Sequence, residues 1–189
     1  MILASRSPRR KEILSALGLD FQLLYPEFDE SSVPFDSKKP FDYVCELASQ
    51  KAFSIHGKAQ EIIISADTIV FCNEKIFGKP KDLDDAFSIL EELCGKWHSV
   101  FTGVCVRKGE KAFSEYEKTE VFLNPLNAEQ IKQFHRKINC LDKAGAYAIQ
   151  GPGSLICQKI VGCYYNVMGL PVNTLATLLA KLGIDLWSC

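Results

Sequence analysis

Ile62-Ile63-Ile64-Ser65-Ala66-Asp67-Thr68-Ile69-Val70-Phe71 is the most apolar run of the chain, and its β-branched residues predict a strand buried on both faces. Asp67 and Thr68 interrupt it where packing favours carbon. A buried carboxylate is costly unless it is paired, bound to a cation or engaged in chemistry. Alternatively the strand bends near Ala66, and Asp67 bonds a turn amide. Taken alone, Asp67 fits a structural role as well as a catalytic one.

Outward from this strand, the 189 residues give one large domain or two closely packed lobes, with 47% hydrophobic and 24% charged residues. The 22 Lys and Arg balance 23 Asp and Glu, so no global field suits a nucleic-acid backbone. No apolar run approaches the roughly 20 residues that span a bilayer, and Met1 to Arg6 is too short for a signal peptide's apolar region. A cytosolic protein without membrane or nucleic-acid partners is expected. The eight cysteines (45, 72, 94, 105, 140, 157, 163 and 189) lie scattered, without the spacing of a zinc knuckle or redox dithiol. Cys45, Cys105 and Cys157 fall at apolar positions and read as small hydrophobes.

The N-terminal segment predicts a strand over residues 1–4 and then a helix, with Ser7 as N-cap, Pro8 in the first helical position and Gly18 after the end. Arg9 and Arg10 then sit in the first turn, beside free amides and the positive end of the helix dipole, where cations are unfavourable. An anion from outside reverses that sign. Strand, small-hydroxyl loop and basic helix start therefore read as a phosphate cradle, in preference to a solvated basic patch. After a second strand at 21–24, Glu27, Asp29 and Glu30 form an acidic loop that suits a hard cation such as Mg²⁺, or plain solvation.

A helix from Pro40 to about His56, stopped by Gly57, carries Lys51 late on its length, a position equally suited to an ordinary surface lysine. Beyond the central strand the pattern predicts a hairpin at 72–75, a helix capped by Asp82 or Asp84 that runs through Leu93, and strands over 97–106 and 112–122. An Asn127/Gln130 capping box opens a helix ending near Ile138, and residues 142–151 form a glycine- and alanine-rich loop. A strand over 155–161 and a last helix ending at Gly183 complete the chain. Helices alternate with hairpins and single strands, so the fold class is α/β with a mixed sheet and flanking helices. His98 and His135 adjoin no nucleophile motif, and the glycine-rich signature of P-loop NTPases is missing.

In order and spacing these segments resemble the Maf family of nucleoside triphosphate pyrophosphatases, first described as septum-formation inhibitors, over nearly the whole length. The resemblance rests on Ser5-x-Ser7-Pro8-Arg9-Arg10, Asp29-Glu30, Lys51-Ala52, Ser65-Ala66-Asp67-Thr68, Gly78-Lys79-Pro80 and His98-x-Val100-x-Thr102-Gly103. It continues in Asp142 to Gly151 and in Asn166-Val167-x-Gly169-Leu170-Pro171. Cys163 departs from relatives that often carry a small or polar residue there.

The resemblance implies an elongated, two-lobed fold with a central cleft like that of the inosine triphosphatases, a divalent metal (Mg²⁺ or Mn²⁺) and frequent homodimers. Arg9, Thr68 and Gln150 resemble the subgroup acting on dTTP and UTP. It further implies Asp67, Glu30, Lys51 and Lys79 as catalytic residues, with Glu30 and Asp67 as metal ligands. Ser5, Ser7, Arg9, Arg10, Thr68 and Gln150 are then the substrate-binding set. Whether Asp67 serves as base, as metal ligand or as both stays open. A second reading is a nucleotide-binding regulator of division that acts through a protein partner. The carboxylates discriminate against it, since a mere phosphate binder gains nothing from acids facing an anion.

Overall fold

The computed structural model describes residues 1–56 and 58–188. Gly57, the expected helix stop, and Cys189 lie outside them. In chain order the elements are β1 (Ile2–Ala4), α1 (Pro8–Ala16), β2 (Gln22–Leu24), α2 (Pro40–Phe53), β3 (Ile62–Cys72), β4 (Lys75–Phe77) and α3 (Leu83–Leu93). There follow β5 (Trp97–Lys108), β6 (Lys111–Leu123), α4 (Ala128–His135), β7 (Cys157–Val161), α5 (Tyr164–Met168) and α6 (Val172–Ala180). Among the described residues the seven strands form one mixed sheet in the order β2-β1-β3-β5-β6-β7, and β4 pairs antiparallel with β3. Strand β1 runs parallel to both β2 and β3, with Ala4 opposite Ser65. The α/β class with a mixed sheet and flanking helices is as the sequence predicts.

By its contacts the chain divides into two compact units. One holds residues 1–67, 102–117 and 169–189, and the other holds 68–101 and 118–168. In the first unit Ile2, Ala4, Ala48, Ala52, Ile55, Ile63 and Cys105 form a core between sheet and helices. Helix α2 lies very close to β5, because a Cβ at Gly103 would overlap the Val44 carbonyl. Ser65, buried mid-strand, donates its hydroxyl to the Ala48 carbonyl at 2.5 Å, which satisfies one polar interruption of β3.

The second unit is built on Val70, Phe77, Leu90, Leu93, Val100, Val121, Leu123, Phe134 and Tyr147 among others. The hairpin at 72–75 turns through Asn73 and Glu74, both at positive φ, which matches the twist of β3 and β4. Of the two candidate caps for α3, Asp82 holds the position and accepts from the Asp85 amide. The Asn127/Gln130 box caps α4 with reciprocal bonds of 2.9 and 2.8 Å.

Several ends differ from expectation. Helix α2 stops at Phe53, where the Ser54 hydroxyl donates to the Lys51 carbonyl and fills a helix-end acceptor. Helix α4 stops at His135, tightened by Lys137 N–H donating to Phe134 O. Strand β7 begins at Cys157, because Gly151–Leu155 first coils into a 3₁₀ turn closed by Ile156 N–H on Gly153 O. The stretch read as a lead-in to the last helix contains α5. Thr119 explains it: the threonine hydroxyl accepts from the Cys163 amide and the Asn166 side chain, and donates to the Cys163 carbonyl. Asn166 also donates to the Val100 carbonyl, so this motif residue is a staple of the second unit.

Candidate active site

The parallel register of β1 and β3 decides where the chemistry collects. Ala4 opposite Ser65 brings the Ser5–Ser7 loop to the end of β1 alongside Asp67. Helix α1 starts directly from that loop. The C-terminal ends of parallel strands beside a helix N-terminus are where open α/β sheets bind anionic ligands.

Asp67 and Lys51 are both buried, and they form a tight ion pair in which the Lys51 ammonium donates to the Asp67 carboxylate. Glu30 reaches the same Nζ at 2.8 Å from its half-exposed 3₁₀ turn, Glu30–Ser32. One ammonium is thus shared by two carboxylates drawn from a loop and a strand, and it is delivered by the last turn of α2. Asp29 does not join them. It caps the turn by accepting from the Ser31 amide at 3.0 Å and the Ser31 hydroxyl at 2.7 Å, which pulls its carboxyl below the ordinary value.

Ser5 and Arg10 form the floor of the cradle. The buried Ser5 hydroxyl accepts from the Ser7 amide at 3.1 Å and from Arg10 Nη1 at 3.3 Å, while Arg10 Nε donates to the Gly169 carbonyl at 2.7 Å. Gly169 lies at φ +106°, a conformation that favours glycine. Burial draws Arg10 below its ordinary pKa and Asp67 opposes that shift; the nearby Arg9 lowers it further, and Glu30 opposes. Arginine still remains charged at any physiological pH. Ser7 occupies the cap position of α1; its amide donates to the Ser5 hydroxyl, and its own hydroxyl makes no capping bond among the described residues. The first turn, Pro8-Arg9-Arg10-Lys11, therefore carries only cations at the positive end of the helix.

The structure thus brings Ser5, Arg10, Glu30, Lys51 and Asp67 together in the first unit, with Ser7 and Arg9 beside them. Thr68, Lys79 and Gln150 belong to the second unit. Thr68 is half-buried and follows Asp67 on β3, and Lys79 is exposed just after β4. Gln150 is half-buried and precedes the 3₁₀ turn, its carbonyl accepting from the Gly153 amide at 3.0 Å.

Tyr43 is a neighbour that the sequence reading missed. Burial raises its hydroxyl pKa, and the charges of Asp67 and Glu30 raise it further. Its signal was the spacing 43, 47, 51, which puts Tyr43 on the Lys51 side of α2.

The donor set fits a divalent cation. Among the described residues no three His, Cys, Asp or Glu side chains gather into a metal cluster. Mg²⁺ bound with substrate phosphates needs only one or two carboxylates. Glu30 and Asp67 already converge on a cationic group, here Lys51 Nζ. An anion brought against two carboxylates is repelled unless further positive charge comes with it.

The seven described cysteines are free thiols. Burial pushes Cys45 up to about 12 and Cys105 up to about 11, so both stay protonated and unreactive. Among the described residues no helix is long and apolar enough to cross a membrane.

Fold and site together define an α/β protein with a basic helix-start cradle beside a lysine-bridged carboxylate pair. The profile of the Maf-like protein family matches residues 1–182, and the chain belongs to the Maf family. It is 45% identical over 193 aligned residues to a dTTP/UTP pyrophosphatase of Caldicellulosiruptor bescii, covering 98% of this chain and 96% of that relative. A dTTP/UTP pyrophosphatase of a Thermoanaerobacter species is likewise 45% identical, over 96% and 95% of the two chains. One of Clostridium botulinum is 41% identical over 98% of each.

Proposed function

We propose that this chain is a nucleoside triphosphate pyrophosphatase that hydrolyses dTTP and UTP, or modified pyrimidine relatives, to the monophosphate and pyrophosphate. Its role is to clear nucleotide pools in the cytoplasm. The activity named for the full-length relatives supports the reaction class. The observation that carries it at the site is the convergence of Glu30 and Asp67 on Lys51 beside the basic start of α1. A regulator that only binds nucleotide has no use for that carboxylate pair, so the division-regulator reading is not favoured.

In this reading Arg9, Arg10, Lys79 and the α1 N-terminus neutralise the triphosphate. Lys51 holds Glu30 and Asp67 in register. Asp67 orients a water and takes its proton as the water oxygen bonds to the α-phosphorus; the bond to the β-phosphate bridging oxygen breaks, and pyrophosphate leaves. Glu30 and Asp67 would hold Mg²⁺ or Mn²⁺, which supplies charge neutralisation at the phosphate oxygens. Gln150 reads the base, its amide matching the imide N–H and flanking carbonyl of uracil or thymine.

A turnover screen of purified protein against common and modified nucleotides tests the reading. UTP and dTTP, or a modified pyrimidine triphosphate, are turned over with added Mg²⁺ or Mn²⁺. Chelation abolishes the activity and the metal restores it. No turnover of any nucleoside triphosphate with either metal contradicts the proposal.

A further inference from the structure

The loop over residues 142–151 holds an unusual pair of conformations. Gly145 and Ala146 both lie in the left-handed region, at φ +72° and +57°. A non-glycine residue persists there only where its surroundings over-determine the backbone. Gly145 has a second reason to lack a side chain, since a Cβ would lie 2.9 Å from Val70 Cγ2.

The surroundings meet that demand with a set of bonds inside the second unit. Gly145 N–H donates to the Gly78 carbonyl at 3.1 Å, which ties the loop to the segment carrying Lys79. Ala146 N–H donates to Lys143 O at 3.1 Å, and His135 Nε2 lies 3.0 Å from the Ala146 carbonyl, so that nitrogen carries the proton. Tyr147, buried, places its hydroxyl 2.8 Å from Nε2 of the buried His98 on β5. The two rings meet edge to face at 5.4 Å. Three residues later the chain reaches Gln150.

The His98–Tyr147 pair is polar where the core around it is aliphatic and aromatic. His98 Nδ1 is buried without a hydrogen-bond partner among the described residues, and Nε2 meets the Tyr147 hydroxyl. Apolar side chains of the same size would fill this space without leaving a buried nitrogen unsatisfied. What they would not supply is direction. The hydrogen bond fixes the tyrosine ring against β5, and so fixes the backbone from the strained Ala146 toward Gln150.

We propose that His98 and Tyr147 are positioning residues for base selection: their hydrogen bond, on the strained Gly145–Ala146 turn, holds the Gln150 loop in register. The proposal rests on the reading above in which Gln150 recognises the pyrimidine.

The test compares the unmodified protein with Tyr147→Phe, with the double variant His98→Leu/Tyr147→Phe and with Gln150→Ala. Tyr147→Phe keeps the ring and removes only the hydroxyl. The double variant removes both polar partners, so no nitrogen is left buried and unpaired. Two quantities are read: amide hydrogen exchange of peptides covering 142–151, and kcat/KM for UTP, dTTP and CTP at one metal concentration. Exchange of 142–151 quickens in both clamp variants, while β3 and α2 keep their protection. The UTP-to-CTP ratio falls about tenfold, mostly through KM for UTP, as it does in Gln150→Ala. A merely structural pair would lower stability and leave that ratio alone. An unchanged ratio in both clamp variants, alongside a lowered one in Gln150→Ala, overturns the clamp and leaves base reading by Gln150 intact. An unchanged ratio in Gln150→Ala removes the base-reading role and the clamp proposal with it. No turnover in the unmodified protein contradicts the proposed function instead.

Discussion

A lysine on the last turn of a helix usually lays its stem along the surface and keeps its ammonium in water. Lys51 is buried instead, with Asp67 and Glu30 as counter-ions. Removing one partner of a buried pair costs more than the pair contributes, because the other charge is left uncompensated. Asp67→Asn keeps the shape, and Glu30 remains to pair with Lys51. The variant therefore folds, with stability lower by about 1–3 kcal/mol and turnover lower by at least about 10²-fold. Thermal melts and UTP turnover measure the two, and near-native turnover would return Asp67 to a structural role. His98 gives a second prediction at this scale. Burial pushes its pKa down to about 4 from 6.5, with Glu120 and the Lys96 backbone opposing. The unfolded chain therefore binds the proton more readily than the folded one. The contribution of neutral His98 is fully present above about pH 6.5 and is lost as pH falls toward 4, to a total of roughly 3 kcal/mol. Urea unfolding at pH 7.5 and pH 4.5 checks this: the acid loss shrinks in the His98→Leu/Tyr147→Phe variant. Equal acid losses in the two proteins contradict it.

At the scale of elements, α2 approaches β5 over a glycine. A Cβ at position 103 would overlap the backbone at Val44 and Cys45, which no rotamer change relieves. Gly103→Ala is expected to cost about 3 kcal/mol or more, while Gly78→Ala, with open space around the new methyl, costs under about 0.5 kcal/mol. Denaturant midpoints separate the two, and equal midpoints would refute the close approach. The element pattern was legible where local chemistry is strong: the Asn127/Gln130 box, the Asp82 cap, the hairpin at Asn73-Glu74 and the Pro8 helix start all stand where the residues put them. Helix α5 was not legible, since its anchor is Thr119, 44 residues before the Cys163 it bonds. Ser7 holds the predicted cap position, and the bond from its amide to the Ser5 hydroxyl is visible only once the loop has folded.

Over the whole molecule, Glu30, Lys51 and Asp67, which the resemblance implies as catalytic without pairing the lysine to the acids, meet in one ion-paired cluster. It comes from a strand register and a helix end rather than from local spacing. Composition marks Lys51 as an ordinary lysine, and only the motif order flagged it. Tyr43 lies in no motif, and although His98 and Tyr147 each lie in one, nothing in the sequence joins them, because the partners lie 24 and 49 residues away along the chain. The central claim concerns which bond breaks in the triphosphate. Reaction with UTP in ¹⁸O-enriched water, followed by phosphorus NMR and mass spectrometry of the products, reads that bond directly. The account predicts UMP carrying one ¹⁸O and unlabelled pyrophosphate. Label in the pyrophosphate, or release of orthophosphate with UDP, would contradict it.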